Sequence, residues 1–180
     1  FETTDLLRTL CRDSSARIFI APGNHDYYSQ NAPYGAMVWP DNVHIFRSSR
    51  ITAAELPDLK ARVYGAAFVK PSSTSMLEGF RAKDDGFVNI MAIHGEVFNT
   101  STYNPITPEQ IANSGLDYLA LGHTHSFSGV LKQGRTHYAY PGCPEGRGFD
   151  ETGTKGVLLG TVSRGRADLR FVPVSRRTYE

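Results

Sequence analysis

Three short segments combine glycine with histidine or asparagine, residue types whose side chains can bind metal ions. They are Gly23-Asn24-His25-Asp26, Ile93-His94-Gly95-Glu96 and Gly122-His123-Thr124-His125. An asparagine carbonyl is a neutral oxygen ligand suited to Mn²⁺, Fe²⁺ or Mg²⁺, and neutral imidazole also binds Fe²⁺ and Zn²⁺. Two histidines in an i, i+2 relation on a loop can address two ions about 3.5–4 Å apart. The segments therefore predict a two-metal centre.

Each segment alone also has a simpler explanation. Asn24 and Gly23 are turn-forming residues, and His94 could be a hydrogen-bonded residue at the end of a buried strand. The combination is more specific, because the three segments occur in this order and each follows its own apolar run. His25 lies beside a candidate ligand, so it could act on a substrate as a proton donor rather than bind an ion.

The elements that must position these segments are strands alternating with helices. Strands are predicted over residues 17–21, 43–46, 61–69, 87–93 and 116–121. A helix begins at Thr107, because Thr107 and Gln110 form a capping box and Pro108 suits the first turn. Gly115 is the expected stop signal. Each metal-binding segment follows a strand, at the sheet edge where ligand sites of α/β proteins gather.

The flanking regions complete the predicted fold. Leu6, Leu7 and Leu10 have the spacing of the buried stripe of a helix, residues 72–81 are expected to form a short helix, and Gly65 is expected to mark a bulge. The last third contains four predicted strands with hairpin turns at Gln133-Gly134 and Arg164-Gly165, and the strands are 127–132, 135–140, 155–162 and 167–174. This order predicts one α/β domain over residues 1–180 with mixed sheets.

Composition excludes several classes of protein. The chain has 180 residues, of which 40% are hydrophobic, so a folded domain with a real core is expected. Its net charge of +1 gives no overall argument for nucleic-acid binding. No apolar run or signal peptide indicates a membrane, and Cys11 and Cys143 do not suggest a disulfide framework, so we expect a cytoplasmic protein.

In the order and content of its three segments, the chain resembles the calcineurin-like metallophosphoesterase superfamily, whose later motifs are GNH[D/E], a lone His and GHxH. The resemblance extends over essentially the whole chain and implies a four-layer α/β/β/α sandwich. It implies that Asn24, His94 and His123 bind one ion and His125 the other, and that His25 is the substrate-facing acid. The expected cofactors are two divalent ions, with Mn²⁺ favoured and Fe²⁺, Zn²⁺ or Mg²⁺ as alternatives.

The chain departs from the family at its start. The family begins with Asp-x-His and Gly-Asp motifs, but this chain has no Asp-x-His, and no Gly-Asp precedes Gly23. It also does not begin with Met. We therefore expect an N-terminally truncated domain that lacks its first strand and metal motifs. Since neutral ligands offset little divalent charge, we expect this chain alone to bind metal weakly and to be inactive.

A finer resemblance follows the third motif. The region after the GHxH motif is similar to the DNA-repair exonuclease subfamily that includes the D subunit of SbcCD. The similarity lies in Tyr140-Pro141-Gly142-Cys143-Pro144, Phe149-Asp150-Glu151 and Lys155-Gly156-Val157. It implies DNA as substrate, an ATPase partner subunit and a homodimer. Three alternatives stay open: a phosphatase or phosphodiesterase of small molecules or nucleotides, a non-catalytic scaffold, and a mononuclear metal-binding module.

Overall fold

The computed structural model describes residues 2–97 and 100–180, which form an α/β fold around a mixed six-stranded sheet. The helices are α1 (Glu2–Asp13), α2 (Pro33–Ala36) and α3 (Pro108–Asn113), with a 3₁₀ turn at Pro57–Leu59. The strands are β1 (Ile18–Ile20), β2 (Val43–Ile45), β3 (Thr52–Leu56), β4 (Ala61–Gly65), β5 (Val88–His94), β6 (Glu96–Val97), β7 (Pro105–Ile106), β8 (Tyr118–Gly122), β9 (Leu131–Gln133), β10 (Thr136–Ala139), β11 (Gly156–Ser163) and β12 (Arg166–Pro173).

The six-stranded sheet has the order β3-β4-β5-β8-β10-β9. Its four central strands are parallel, and β3 and β9 add antiparallel edges. The remaining strands pair in twos: β1 with β2 and β6 with β7 are parallel, whereas β11 and β12 form an antiparallel hairpin. The predicted α/β class with mixed sheets is thus confirmed.

Two hydrophobic cores lie on the two faces of the central sheet. Because successive side chains of a strand point to opposite faces, Tyr64 joins the larger core and its neighbour Val63 the smaller one. Strand β5 follows the same alternation, with Met91 and Ile93 buried in the larger core. The central strands are therefore held on both sides, which fixes the edge where they end.

Helix α3 begins as predicted. The Thr107 hydroxyl accepts the Gln110 backbone N–H at 3.2 Å, and the Gln110 side chain accepts the Thr107 N–H at 2.9 Å. Gly115 follows the helix with a φ of +71°, a left-handed conformation that glycine adopts without strain. The predicted hairpin turns are also present, with positive φ at Gly134 and Gly165.

Several predictions for the first half of the chain are wrong. Residues 72–81 form no helix and contain only an isolated bridge from Ser73 to Tyr103. Helix α1 is present, but Leu6 and Leu10 are 69% and 50% exposed rather than buried. Strand β3 was not expected, because Thr52–Leu56 contains two alanines and lacks a strong strand pattern.

Gly65 is a regular strand residue rather than the predicted bulge. It pairs in register with Thr52 on one side and Ala92 on the other. A Cβ atom at this position would lie only 2.2 Å from the Phe46 ring. Glycine is needed here because an aromatic ring packs directly on the backbone.

Asp117 attaches the β11–β12 hairpin to the central sheet. Its carboxylate is fully buried and accepts the backbone N–H of Gly165 at 2.7 Å and that of Asn89 at 2.8 Å. Arg135 donates to the same carboxylate at 2.8 Å. One buried anion thus links the hairpin turn, β5 and the residue before β10.

Two findings bear on the chain's setting. Over residues 2–97 and 100–180, no helix has the length and apolarity needed to cross a membrane. Cys143 is a free thiol, while the side chain of Cys11 lies outside the described part of the structure.

Candidate metal centre

The register of two parallel strands places His94 beside His123. Strands β5 and β8 are neighbours in the central sheet, and His94, the last residue of β5, is in register with Gly122, the last residue of β8. His123 is the next residue of the chain. Both imidazoles therefore lie at the carboxyl edge of the parallel strands, where ligand sites of α/β proteins are expected.

Backbone hydrogen bonds bring the Asn24 turn to the same edge. The Pro22 carbonyl accepts the Phe68 N–H at 3.0 Å, and the Tyr28 N–H donates to the Phe68 carbonyl at 2.7 Å. The Phe68 ring in turn contacts His94 edge-on, with 5.4 Å between ring centroids. Asn24 lies buried inside the loop that these bonds tie down.

Three lone-pair atoms converge at this edge. His94 Nε2 lies 2.8 Å from Asn24 Oδ1 and 3.1 Å from His123 Nδ1. One proton on His94 Nε2 can be donated fully to only one of these two acceptors. Two ligand atoms that are each about 2.1 Å from one ion lie about 3 Å apart when they meet it at roughly a right angle. The donor set therefore fits a divalent cation.

Glycines from two of the motifs make room for the His94 ring. A Cβ atom at Gly23 would lie 2.6 Å from His94 Nδ1, and one at Gly122 would lie 3.1 Å from the same atom. The first distance is well inside normal contact and the second is tight. Gly23 and Gly122, which precede Asn24 and His123, thus pack directly against the His94 ring.

His94 is held in the neutral form that a metal ligand requires. Burial, together with the neighbouring His123 imidazole, lowers the pKa of His94 to about 4. At neutral pH the ring is uncharged, so one of its nitrogens carries a lone pair. This protonation state suits cation binding.

The backbone around His94 is fixed by buried side chains. Asn104, which is fully buried, donates to the His94 carbonyl at 2.8 Å and accepts the Met76 N–H at 2.6 Å. The Tyr140 hydroxyl donates to the Gly95 carbonyl at 2.7 Å. These bonds hold the end of β5 and thereby the position of the His94 ring.

His123 has an unusual backbone conformation. Its φ is +119°, in the region that favours glycine. Its ring lies at a centroid distance of 5.4 Å from Tyr103, and its Nε2 is 3.9 Å from the Glu96 carboxylate. His123, whose backbone is strained, is therefore also the residue whose Nδ1 lies beside His94 Nε2.

Asn24 and His94 border a cleft of about 550 Å³. His25, His125 and the exposed Arg147 also line this cleft, together with Asp26. Asp26 shapes the loop, because its two carboxylate oxygens accept the Gly23 N–H at 2.9 Å and the Tyr34 hydroxyl at 2.6 Å. The cleft therefore has imidazoles and a guanidinium next to the candidate cation position.

The structure places His125 apart from the three convergent ligands but in the same cleft. Its Nδ1 forms a hydrogen bond with the carboxylate of Glu151. The backbone N–H of Arg147 and the His125 imidazole lower the pKa of Glu151, so this carboxylate is ionised at neutral pH. Of the five predicted site residues, His94 contacts both Asn24 and His123, while His25 and His125 line the cleft that Asn24 and His94 border.

The convergent group consists of neutral donor types. Among residues 2–97 and 100–180, no group of three or more His, Cys, Asp and Glu side chains is placed to hold a metal ion. The convergent group has two histidines and an asparagine instead, and all three are neutral ligands. A divalent ion bound there receives little charge compensation from them.

Sequence reasoning gave no role to three further residues: Asn104, Arg147 and Glu151. Glu151 and Arg147 lie in the segment already noted for its subfamily resemblance, which was the available signal. Nothing in the local sequence marks Asn104, since its partners Met76 and His94 are 28 and 10 residues away.

An α/β fold with nitrogen and oxygen ligands at the carboxyl edge of parallel strands defines a candidate metal-dependent enzyme. No protein-family model matches the chain. The chain is 28% identical over 173 residues to a Bacillus subtilis (strain 168) protein named "Uncharacterized metallophosphoesterase YhaO". The match covers 89% of this chain but 40% of the relative, so the chain spans about two fifths of that protein's length. This similarity supports the metallophosphoesterase superfamily.

Proposed function

We propose that the intact protein is a two-metal phosphodiesterase and that its substrate is DNA. The observation that carries the proposal is the convergence of two donor atoms on His94 Nε2, which lies 2.8 Å from Asn24 Oδ1 and 3.1 Å from His123 Nδ1. The similarity to a metallophosphoesterase supports the reaction class.

In this proposal, Asn24, His94 and His123 hold one ion and His125 contributes to a second. Bound divalent ions, for which we propose Mn²⁺, supply Lewis acidity to the phosphate and lower the pKa of the attacking water. The protein's own part is to fix the donor atoms. It does so through the strand register at His94 and Gly122 and through the loop that buries Asn24.

His25 is proposed as the general acid. It is exposed, it lines the cleft, and it follows directly after the ligand Asn24. From this position its imidazolium can protonate the leaving oxygen of a phosphodiester. Arg147 lines the same cleft, and its guanidinium can donate hydrogen bonds to the phosphate oxygens.

The finer parts of the proposal rest on the sequence resemblance. The segment from Tyr140 to Glu151 supports a repair-type exonuclease or endonuclease, and with it an ATPase partner and a homodimer. A four-layer sandwich, in which the β1–β2 and β11–β12 pairs belong to a second sheet, and a cytoplasmic location are part of the same proposal.

The division of roles is tested with His25→Ala and His123→Ala in the intact protein. His25→Ala is expected to lower turnover by about 10²- to 10⁴-fold while metal content stays near wild type, because general acids contribute this much. His123→Ala is expected to lose metal and turnover together. The measurements are hydrolysis of a chromogenic phosphodiester with Mn²⁺ and metal analysis of each purified variant.

His44→Ala is the matched control, because His44 lies on β2 outside the cleft, where its ring packs against Phe46. It should keep both metal and turnover. If His25→Ala loses metal as fully as His123→Ala, the assigned roles are wrong. A wild-type protein that binds Mn²⁺ and hydrolyses no phosphoester would overturn the proposed function in favour of a metal-binding scaffold.

The substrate is tested with a panel of linear duplex DNA, single-stranded DNA, nucleotides and the chromogenic phosphodiester. Greater specificity, as kcat/KM, for DNA than for nucleotides supports the proposal. Hydrolysis of the small substrates without DNA cleavage contradicts the DNA assignment and leaves the reaction class intact.

A further inference from the structure

One loop of the protein packs against one side of His125. We define the 141–151 loop as residues 141–151, which follow β10 and contribute both Arg147 and Glu151. Glu151 reaches back to the His125 ring and pairs with Nδ1 through Oε1. The Glu151 side chain is only 9% exposed, whereas that of His125 is 49% exposed and faces the cleft. The buried carboxylate thus holds the inner nitrogen of a ring that is open on its other side.

The Glu151 carboxylate is itself fixed. Its second oxygen, Oε2, accepts the backbone N–H of Arg147 at 2.8 Å, and the Cys143 thiol lies 3.9 Å from it. Both partners belong to the 141–151 loop. A carboxylate held at both oxygens can impose an orientation on the imidazole, rather than follow its motion.

The backbone of His125 is held by the same region. Its carbonyl oxygen accepts a hydrogen bond from the ammonium of Lys155 at 3.0 Å, and the Cys143 thiol approaches it at 3.6 Å. Lys155 is buried. A Cβ atom at Gly142 would lie 3.1 Å from this carbonyl, so the loop packs closely on the His125 backbone. Ring and main chain are therefore both immobilised on the side away from the cleft.

From these contacts we propose that Glu151 is a positioning residue that sets the tautomer of His125. An ionised carboxylate only accepts hydrogen bonds, so the Nδ1 that faces it carries the proton. The lone pair of the neutral ring is then on Nε2 and is available to a cation in the cleft. The part that concerns the cation rests on the proposed function, whereas the tautomer follows from the contacts alone.

Glu151 also supplies negative charge to a group of neutral donors. The convergent group consists of an asparagine and two histidines, none of which is an anionic ligand. A carboxylate hydrogen-bonded to a ligating imidazole raises the basicity of that ligand, and loss of such a partner typically lowers metal affinity by about 10- to 100-fold. Glu151 thus stabilises the 141–151 loop through the Arg147 N–H and also places a negative charge beside His125.

The tautomer is measured directly in the metal-free intact protein. Protein labelled with ¹⁵N-histidine is examined by long-range ¹H–¹⁵N NMR at about pH 8.5, above the ordinary histidine pKa of about 6.5. The His125 signals are assigned from their loss in His125→Gln. Wild type is expected to show His125 protonated at Nδ1. Glu151→Ala is expected to shift His125 toward protonation at Nε2, because the acceptor is gone.

A second variant separates positioning from folding. Glu151→Gln keeps the side-chain length and an oxygen acceptor, so it preserves the loop, but it removes the charge. Its Mn²⁺ affinity, measured by calorimetry, is expected to fall by about 10- to 100-fold. The matched control is Glu145→Gln on the same loop, because Glu145 accepts the backbone N–H groups of Arg176 and Arg177 and does not contact His125. This control should leave the His125 spectrum and the Mn²⁺ affinity unchanged.

The outcomes separate this inference from the proposed function. Nε2-protonated His125 in wild type, or an unchanged tautomer in folded Glu151→Ala, overturns the positioning role whatever the protein hydrolyses. Glu151→Gln with wild-type Mn²⁺ affinity overturns the role toward the cation. If wild type hydrolyses no phosphoester but shows the Nδ1–H tautomer and its shift in Glu151→Ala, the proposed function fails and the positioning role stands.

Discussion

At the scale of single residues, Gly23 is the position where the smallest change should disturb the site most. Gly23→Ala places a Cβ atom 2.6 Å from His94 Nδ1, so the ring must move. Strain of this kind typically costs about 1–3 kcal/mol of stability. We therefore expect a lower free energy of unfolding and a weaker Mn²⁺ affinity, measured by denaturant titration and calorimetry on the same protein.

Gly122→Ala is the graded comparison for this prediction. Its Cβ atom would be 3.1 Å from the same nitrogen, so a shift of a few tenths of an ångström relieves the contact. The loss should be clearly smaller than for Gly23→Ala. Equal losses, or none at Gly23, would show that the His94 ring is not confined by the two glycines.

Residue types and order were enough to predict that these side chains come together, because each candidate followed its own strand. Asn24, His94 and His123 meet as expected from strands that end at one sheet edge. The link from His125 to Glu151 was not predictable in the same way. These residues are 26 positions apart, and their contact depends on the path of an irregular loop with no periodic pattern.

At the scale of elements, Asn104 joins the end of β5 to Met76, which lies in the irregular segment 72–81. Asn104→Ala leaves the Met76 N–H and the His94 carbonyl without their partners. An unsatisfied buried polar group costs about 1–3 kcal/mol, so the loss in unfolding free energy should be large for an alanine substitution. Asn113→Ala, at the exposed end of α3, is the control and should have little effect. A small loss at Asn104 would mean that water replaces the side chain.

The same contacts explain which elements could be predicted. Helix α3 was predictable because its capping box and stop signal are local in sequence. Residues 72–81 were not, because Asn104 and Thr102 bind the backbone of Ser73 and Met76 and impose an extended path. Strand β3 was missed for a related reason, since a weak strand former such as Ala53 is stabilised by its pairing with β4.

At the scale of the whole molecule, Asp117 is a buried attachment of the C-terminal hairpin to the central sheet. Asp117→Asn keeps the shape but removes the charge that Arg135 and two backbone N–H groups share. Hydrogen bonds to a charged group contribute about 1.5–3 kcal/mol, and we expect a loss of this size in the free energy of unfolding.

Asp84→Asn is the matched control for Asp117→Asn. Asp84 pairs with Arg164 at the same hairpin turn, but its side chain is exposed, so its removal should leave the melting temperature nearly unchanged. Limited proteolysis should show earlier cleavage in β11 or β12 for Asp117→Asn alone. Uniform cleavage in both variants would indicate that the hairpin is held elsewhere.

At His123, whose φ is +119°, the residue that best stabilises the backbone differs from the residue that the metal centre needs. Glycine fits that backbone without strain, so the fold by itself favours glycine where the site needs an imidazole. Selection for heat resistance alone is therefore expected to favour His123→Gly, a more stable protein that lacks a donor atom of the centre. We expect His123 to be retained when activity is selected and to be lost when only heat resistance is selected. That pattern would show a trade-off between stability and activity that arises from the backbone conformation of one residue.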